Sequence, residues 1–221
     1  MISANLATFS ARKDVLQKVV NSLRDQVDVV RVYSNDYLPK IDGAEVVTGE
    51  DLTDRGKFYF VGGDEIYFSC DDDIIYPENY VERTLSVLNK YPNAVITYHG
   101  RTLLGKGRNY YFGHEAIHCL RTHHYDTFID VAGTGVSCFD ASKWKPDVLQ
   151  YPDQKMSDLL FSLECAKSNK KIICASHQMG WFQIATNEGA IYDTESRKCD
   201  RQGEYADAIW ELRYGSTDTP I

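Results

Sequence analysis

The sequence has no apolar stretch long enough to cross a membrane. Its longest segment without Asp, Glu, Lys or Arg, residues 172–187, contains His177, Gln178 and Gln183, whereas a spanning helix needs about 20 mainly apolar residues. Residues 1–5 carry no basic side chain, so no secretory signal peptide is expected. We therefore predict a soluble cytoplasmic protein without a membrane span.

A long basic run is also missing. Asp and Glu outnumber Lys and Arg by 32 to 24, which gives a formal net charge of −8. Proteins that bind nucleic acid replace phosphate counterions with Lys and Arg, so no nucleic-acid partner is expected. A small anionic ligand stays compatible with the acidic balance if a metal ion or main-chain amides offset its charge.

The six cysteines form no C-x-x-C pair. They are spread along the chain, and several lie in apolar runs, which is typical of buried free thiols in a reducing compartment. Their positions are Cys70, Cys119, Cys138, Cys165, Cys174 and Cys199.

Strand and helix patterns alternate along the chain. Residues 2–8 are strand-like, an amphipathic helix follows through Gln26, and residues 27–33 are rich in β-branched side chains. A strand–helix–strand unit of this length implies parallel pairing with a right-handed crossover. Further strands are predicted at residues 66–70, 94–98, 131–136 and 171–176, and further helices after Pro77 and from Ser157 or Asp158.

These patterns predict a single α/β domain over residues 1–199. A polar C-terminal extension, residues 200–221, contains one candidate helix at 205–213. Residues 100–130 show no clear periodicity, and the chain has no internal repeat or low-complexity linker.

Three adjacent carboxylates, Asp71, Asp72 and Asp73, follow a buried strand. Ligands of open α/β sheets bind at the carboxyl ends of the strands. The mutual repulsion of the carboxylates is costly unless a cation offsets it. Their hard oxygen atoms suit Mg²⁺ or Mn²⁺, which can bridge to a diphosphate. The alternative is an acidic turn that caps the next helix.

A second pattern, H-E-x-x-H at residues 114–118, is typical of zinc peptidases when it lies on a helix. His124 stands where the longer form of the motif has a third ligand, but Arg121 replaces the glycine of its turn. The surrounding residues also lack helical periodicity. We therefore predict a strand or loop with scattered histidines near a pocket, and keep a zinc metallopeptidase based on His114, Glu115 and His118 as an alternative.

Three further features each have two interpretations. Gly133 and Gly135, on either side of Thr134, allow either close approach of the backbone to a ligand or a β-bulge. Asp158 is either a helix cap or a general base. His177, just after the strand at residues 171–176, is either a hydrogen-bonded polar residue or a contact to metal or phosphate.

Five segments together resemble family-2-like GT-A glycosyltransferases. The likeness covers most of residues 2–185 and continues in order through Gly133–Gly135 and the helix start at Ser157. Within that family the chain resembles a viral domain, which implies that it acts in the host cytoplasm. The segments are residues 6–12, 16–23, 26–28, 54–59 and 70–77.

The resemblance implies a GT-A, Rossmann-like fold with a mixed, mainly parallel sheet flanked by helices. It also implies transfer of a hexose or deoxyhexose from a UDP-sugar to a hydroxyl of an oligosaccharide or glycoprotein glycan, with Mn²⁺ or Mg²⁺ as cofactor. A non-catalytic nucleotide-sugar-binding module on the same fold is a further alternative.

The resemblance also implies roles for individual residues. Asp73 would bind the metal, Asp71 would reach the ribose or a metal-bound water, and His177 would lie near the metal or diphosphate. An inverting transfer needs a carboxylate to take the acceptor proton, for which Asp158 is the candidate. The remaining donor-site residues are Thr8, Arg12, Asn35 and Lys57 for the nucleoside, with Asp72, Gly133 and Thr134 beside them.

Overall fold

An eight-stranded sheet runs through the centre of the structure, a computed structural model described here over residues 1–186 and 201–215. The strands are β1 Ile2–Thr8, β2 Val29–Ser34, β3 Glu45–Thr48, β4 Ile66–Asp71, β5 Ile74–Ile75, β6 Val95–Thr97, β7 Gly100–Leu103, β8 His114–Ile117, β9 Thr127–Ile129, β10 Val131–Ala132, β11 Val136–Asp140, β12 Ile172–Cys174 and β13 Gln183–Ile184. The α-helices are α1 Lys13–Leu23, α2 Tyr80–Lys90, α3 Ser157–Lys167 and α4 Arg201–Tyr214, and short 3₁₀ turns lie at Ser10–Arg12, Thr53–Phe58 and Val148–Gln150.

The strand order of the main sheet is β3-β2-β1-β4-β11-β6-β12-β9. Its first four strands are parallel to one another, β6 and β12 are parallel, and β11 and β9 run antiparallel to their neighbours. The register pairs Thr8 with Ser34 and Ala7 with Asp71. Strands β1, β2 and β4 therefore end side by side at one edge of the sheet.

Helices cover both faces of this sheet. Alternate strand residues face opposite ways, so that Phe68 packs with the α1 and α2 side while Tyr67 packs with the α3 side. On α1, Leu16, Val19 and Leu23 are fully buried, as the apolar periodicity predicts. The predicted mixed, mainly parallel sheet between helices is confirmed.

Three regions differ from the sequence prediction. Strand β3, at one edge of the main sheet, was not predicted. The strand expected at residues 131–136 is divided: β10 joins a small sheet with β7 and β8, whereas β11 joins the main sheet. The divide falls at Gly133–Gly135. Residues 100–130, which lack a clear pattern, contain β7, β8 and β9, because short strands pairing with distant partners leave little local periodicity.

The C-terminal helix packs against the domain. Ala206 and Ile209 of α4 are buried beside Leu159 and Leu163 of α3. The boundary predicted at residues 199 and 200, Cys199, and residues 216–221 lie outside the described residues. The five other cysteines are buried free thiols, and none of the described helices has the length and hydropathy of a membrane span.

Phe161 on α3 tests the packing of α3 against the main sheet. It is fully buried, and its ring centroid lies 5.1 Å from that of Phe58 and 5.6 Å from that of Phe139. Phe161→Ala should lower the free energy of unfolding in urea by about 3–5 kcal/mol, because it removes a buried ring and leaves a cavity. Phe112, which is 86% exposed, is the control: Phe112→Ala should cost less than about 0.5 kcal/mol. Equal losses in the two variants would contradict the packing described here.

Candidate active site

A cavity of about 670 Å³ opens where β1, β2 and β4 end. This volume is in the range of small-molecule sites. Every site residue predicted from the sequence except His177 lines it: Thr8, Arg12, Asn35, Lys57, Asp71, Asp72, Asp73, Gly133, Thr134 and Asp158. The parallel strands thus bring together residues that are far apart in the sequence.

The three adjacent carboxylates do not face the same way. The side chains of Asp71 and Asp73 are 40% and 23% exposed, whereas that of Asp72 is only 9% exposed. Asp72 accepts a hydrogen bond of 2.7 Å from the Thr8 hydroxyl and lies 3.3 Å from Arg12 Nη1. Asp71 and Asp73 are therefore available to a ligand, while Asp72 and Thr8 form the floor of the cavity.

Burial and crowding raise the pKa values of two of these carboxyl groups. Burial raises the pKa of Asp72 to about 7, although Arg12 and the Thr8 hydroxyl oppose the shift. The pKa of Asp73 is also raised, first by burial and then by the charge of Asp71, against the opposing effect of Arg12. Negative charge at this edge is thus costly, and a further cation would stabilise it.

Two buried cations partly offset this charge. Arg12 Nη1 lies 2.7 Å from Asp73 Oδ2, and Lys57 Nζ contacts Asp71 Oδ1. Burial alone would lower the pKa of Lys57, but the Asp71 and Asp54 carboxylates outweigh it and raise the pKa above its ordinary value. Lys57 contacts Oδ1 of Asp71 and Arg12 contacts Oδ2 of Asp73, while Oδ2 of Asp71 lies close to Gly135. Both carboxylates nevertheless line the cavity and stay partly exposed.

The turn at Gly133–Gly135 leaves no room for larger residues. A Cβ atom on Gly135 would lie 1.9 Å from Asp71 Oδ2, and one on Gly133 would lie 2.6–2.9 Å from atoms of the His99 side chain. The main-chain N–H of Asp71 donates a 3.1 Å hydrogen bond to Gly135 O. Glycine is required here by close contact within the chain, and the same turn holds the Asp71 carboxylate at the cavity.

Asp158 is the second residue of α3 and is not its cap. The helix begins at Ser157 after Met156, and the Ser157 N–H donates a 3.0 Å hydrogen bond to Asp54 Oδ2. Capping therefore falls to Asp54, a residue of the Thr53–Phe58 turn. The capping interpretation of Asp158 is wrong, because its carboxylate points away from its own helix terminus.

The Asp158 carboxylate is held at the cavity wall instead. Its Oδ1 accepts hydrogen bonds from Thr134 N at 2.8 Å and Thr134 Oγ1 at 2.7 Å, and its Oδ2 lies 3.7 Å from Arg101 Nη1. Burial would raise the pKa of Asp158, but Arg101, the Thr134 hydrogen bonds and Lys57 outweigh it and lower the pKa. The group is thus an oriented, ionised carboxylate that lines the cavity.

Asn35 organises the site through its side-chain amide. The amide nitrogen donates to Thr8 O and Thr53 O, each at 3.1 Å, and the amide oxygen accepts a 3.0 Å hydrogen bond from Leu52 N. These bonds hold the end of β1 against the segment that follows β3. Asn35 therefore shapes this end of the cavity.

The structure does not bring His177 to the carboxylates. Its Nδ1 lies 2.8 Å from Ala175 O and its Nε2 lies 3.3 Å from His118 O. Both ring nitrogens face main-chain carbonyl oxygens, so we leave His177 out of the candidate metal ligands.

The first four residues of the H-E-x-x-H pattern form strand β8, where His114 and Glu115 point to opposite faces of the small sheet, and His118 follows the strand. The zinc-peptidase motif needs a helix, which places its two histidines on one face. The geometry therefore does not support the peptidase alternative.

Histidines near a pocket were predicted from the sequence, but the other residues of the wall beyond the glycine turn were not. Gln202 of α4 is 3% exposed, and its amide nitrogen donates a 3.0 Å hydrogen bond to Tyr111 Oη. Neither the irregular stretch at residues 99–119 nor the polar C-terminal helix has a pattern that signals these positions. The residues of this wall are His99, Arg101, Tyr110, Tyr111, His118, Cys119 and Gln202.

Comparison with known proteins identifies the fold. No family model and no curated protein matches the chain. Among solved structures, that of residues 1–349 of S. aureus TarS in complex with UDP-GlcNAc matches with a TM-score of 0.59 and 11% sequence identity. The match covers 96% of this chain and 66% of the TarS chain. The predicted GT-A α/β fold is confirmed by this likeness.

Arg12 tests the electrostatics of the acidic edge. Its side chain is 5% exposed, so Arg12→Met leaves a buried carboxylate without its counter-charge. At a pH above the raised pKa of Asp72, the free energy of unfolding should fall by about 3–5 kcal/mol. Adding Asp72→Asn should restore part of the loss in a double-mutant cycle.

The matched control for Arg12 is Arg24, which pairs at 2.9 Å with Asp42, a side chain that is 86% exposed. Arg24→Met should change the free energy of unfolding by less than about 1 kcal/mol. Similar losses in the free energy of unfolding for Arg12→Met and Arg24→Met would show that the buried Arg12 does not stabilise the carboxylates of the acidic edge.

Proposed function

We propose that this chain is a metal-dependent glycosyltransferase. Its reaction would be the transfer of a hexose or deoxyhexose from a UDP-sugar to a hydroxyl of an oligosaccharide or glycoprotein glycan. The observation that carries the proposal is the pair of partly exposed carboxylates, Asp71 and Asp73, that line a cavity of suitable size.

The charge of the cavity supports a divalent cation. Seven aspartates but only four Lys or Arg residues line it, so a diphosphate would be repelled by the wall alone. Carboxylate oxygens are the preferred ligands of Mg²⁺ and Mn²⁺, and the partly exposed carboxylates of Asp71 and Asp73 fit this requirement. When bound, the ion would offset the negative charge that develops on the leaving nucleoside diphosphate.

The donor would lie along the acidic edge. Arg12 and Lys57 hold the Asp73 and Asp71 carboxylates in place, and Thr8 and Asn35 shape the nucleoside end of the cavity. The TarS structure contains UDP-GlcNAc, and the shared fold supports a nucleotide-sugar of this class as the donor. The sugar would then point towards Thr134 and Asp158.

Asp158 would act as the general base on the acceptor hydroxyl. Thr134 fixes one carboxylate oxygen, and Arg101 keeps the group ionised, so that Oδ2 can accept a proton. A positioned base of this kind contributes about 10²–10⁴ in rate.

A non-catalytic nucleotide-sugar-binding module is the second candidate. An ionised, hydrogen-bonded carboxylate at the cavity wall favours the enzyme over the module. Slow, metal-dependent hydrolysis of a UDP-sugar in the absence of acceptor would distinguish them, since a binding module would leave the donor intact.

The resemblance of residues 2–185 to a glycosyltransferase domain of a large chlorella-virus protein supports a viral origin and a place of action in the host cytoplasm.

Asp73 tests the metal part of the proposal. Asp73→Asn should abolish Mn²⁺-dependent binding of UDP, measured by titration calorimetry with and without Mn²⁺, because it removes an anionic ligand of the ion. The fold should persist, since the change also relieves repulsion from Asp71. Asp64, whose side chain is 80% exposed and lies outside the cavity, is the control, and Asp64→Asn should bind UDP as the unmodified protein does. Unchanged Mn²⁺-dependent affinity in Asp73→Asn would exclude this carboxylate from the site.

Asp158 tests the base. Asp158→Asn should lower the rate of transfer by about 10²–10⁴-fold, while the amide oxygen keeps its hydrogen bonds from Thr134 and donor binding changes little. Asp153 is the matched control, because it pairs with Arg201 at 3.2 Å and does not line the cavity. Asp153→Asn should transfer at a near-normal rate. A stable Asp158→Asn protein with normal transfer would remove this residue from the mechanism.

A further inference from the structure

Three nitrogen and sulfur donors meet on the wall facing the acidic edge. One ring nitrogen each of His99 and His118 and the sulfur of Cys119 lie within 4.8 Å of one another, and all three residues line the cavity. The pairing of β7 with β8 brings them together. Gly100 of β7 lies opposite Ile117 of β8, so the residue before Gly100 meets the two residues after Ile117.

The two imidazoles are suited to bind a metal ion. Burial and the charge of Arg101 lower the pKa of His99 to about 4, and burial, Arg121 and Arg101 lower the pKa of His118. Both rings are therefore neutral at neutral pH, the state in which histidine binds metals. The His99 ring makes no hydrogen bond within the described parts of the chain.

The Cys119 thiol completes the donor set. The residue is 3% exposed, and burial with the nearby Asp71 charge raises the pKa of Cys119 to about 12, although its own N–H and that of Leu120 favour the thiolate. A metal ion displaces the proton of such a thiol on binding.

We propose that His99, His118 and Cys119 form a binding site for Zn²⁺ or a divalent transition-metal ion of the same class. Nitrogen and sulfur donors select such ions over Mg²⁺, which prefers oxygen. Usual zinc bond lengths in a tetrahedral site place ligand atoms roughly 3.3–3.7 Å apart. The distances between the three donor atoms, which are at most 4.8 Å, therefore need to shorten by about 1 Å. His118 is exposed and has one weak side-chain hydrogen bond, 3.2 Å from Leu120 N, which leaves it free to move this distance.

This site is distinct from the candidate metal ligands Asp71 and Asp73. The glycine turn lies between the two, with Gly133 against His99 and Gly135 against Asp71. It is also distinct from the H-E-x-x-H pattern, since it uses His118 without His114. The proposal does not depend on glycosyl transfer.

The test is a zinc titration of the full chain against a chromophoric chelator of micromolar affinity. One equivalent of Zn²⁺ should bind, and replacement by Co²⁺ should give the thiolate-to-cobalt charge-transfer absorption in the near ultraviolet. Failure to compete with the chelator, or a cobalt complex without the thiolate band, would overturn the proposal.

Variants assign the ligands. His118→Ala and Cys119→Ser should each lose the equivalent of zinc, and the exposed position of His118 makes its variant safe for folding, which near-ultraviolet circular dichroism can check. His114→Ala is the matched control and should retain zinc. Asp73→Asn should also retain zinc even where it loses Mn²⁺-dependent UDP binding, which separates the two proposals. Zinc binding that survives His118→Ala or disappears with His114→Ala would contradict this site.

Discussion

Repulsion among three consecutive carboxylates at the end of β4 is the constraint on which the rest of the site depends. Asp72 turns inward to Thr8 and Arg12, which leaves Asp71 and Asp73 on the cavity side. The buried cations supply the opposing charge: Arg12 contacts Asp72 and Asp73, and Lys57 contacts Asp71. The balance is incomplete, as the raised pKa values of Asp72 and Asp73 indicate. A bound divalent cation would offset the remaining negative charge. This unbalanced charge links the fold to the proposed chemistry.

The sheet topology places this unbalanced negative charge beside the other residues of the candidate site. Because β1, β2 and β4 are parallel neighbours, their carboxyl ends meet at one edge. The glycine turn, which leads into the antiparallel β11, places Thr134 beside the start of α3. Asp54 caps α3, and Thr134 orients Asp158. The candidate base is thereby positioned from two elements that are far apart in the sequence.

The acidic half of the site could be predicted because it follows from local patterns. A buried strand that ends in Asp71–Asp73 and a βαβ unit at the N-terminus both leave clear signals in the sequence. The opposite wall could not be predicted, since Arg101, Cys119 and Gln202 reach the cavity through short strand pairs and a helix with a polar sequence. The position of His177 in the sequence did not predict its contacts. It follows the predicted strand, yet its ring nitrogens face carbonyl oxygens. Side-chain direction at a strand end depends on tertiary packing that the sequence pattern does not contain.

The central claim is that a divalent ion joins the acidic edge to a nucleoside diphosphate, and its location is the most direct test. Crystals of the protein grown with UDP and Mn²⁺ would show the ion in anomalous-difference density. The account predicts one manganese peak between the Asp71 and Asp73 carboxylates and the diphosphate, with the uridine towards Thr8 and Asn35. UDP bound without manganese at the acidic edge, or with the ion held by other residues, would contradict it.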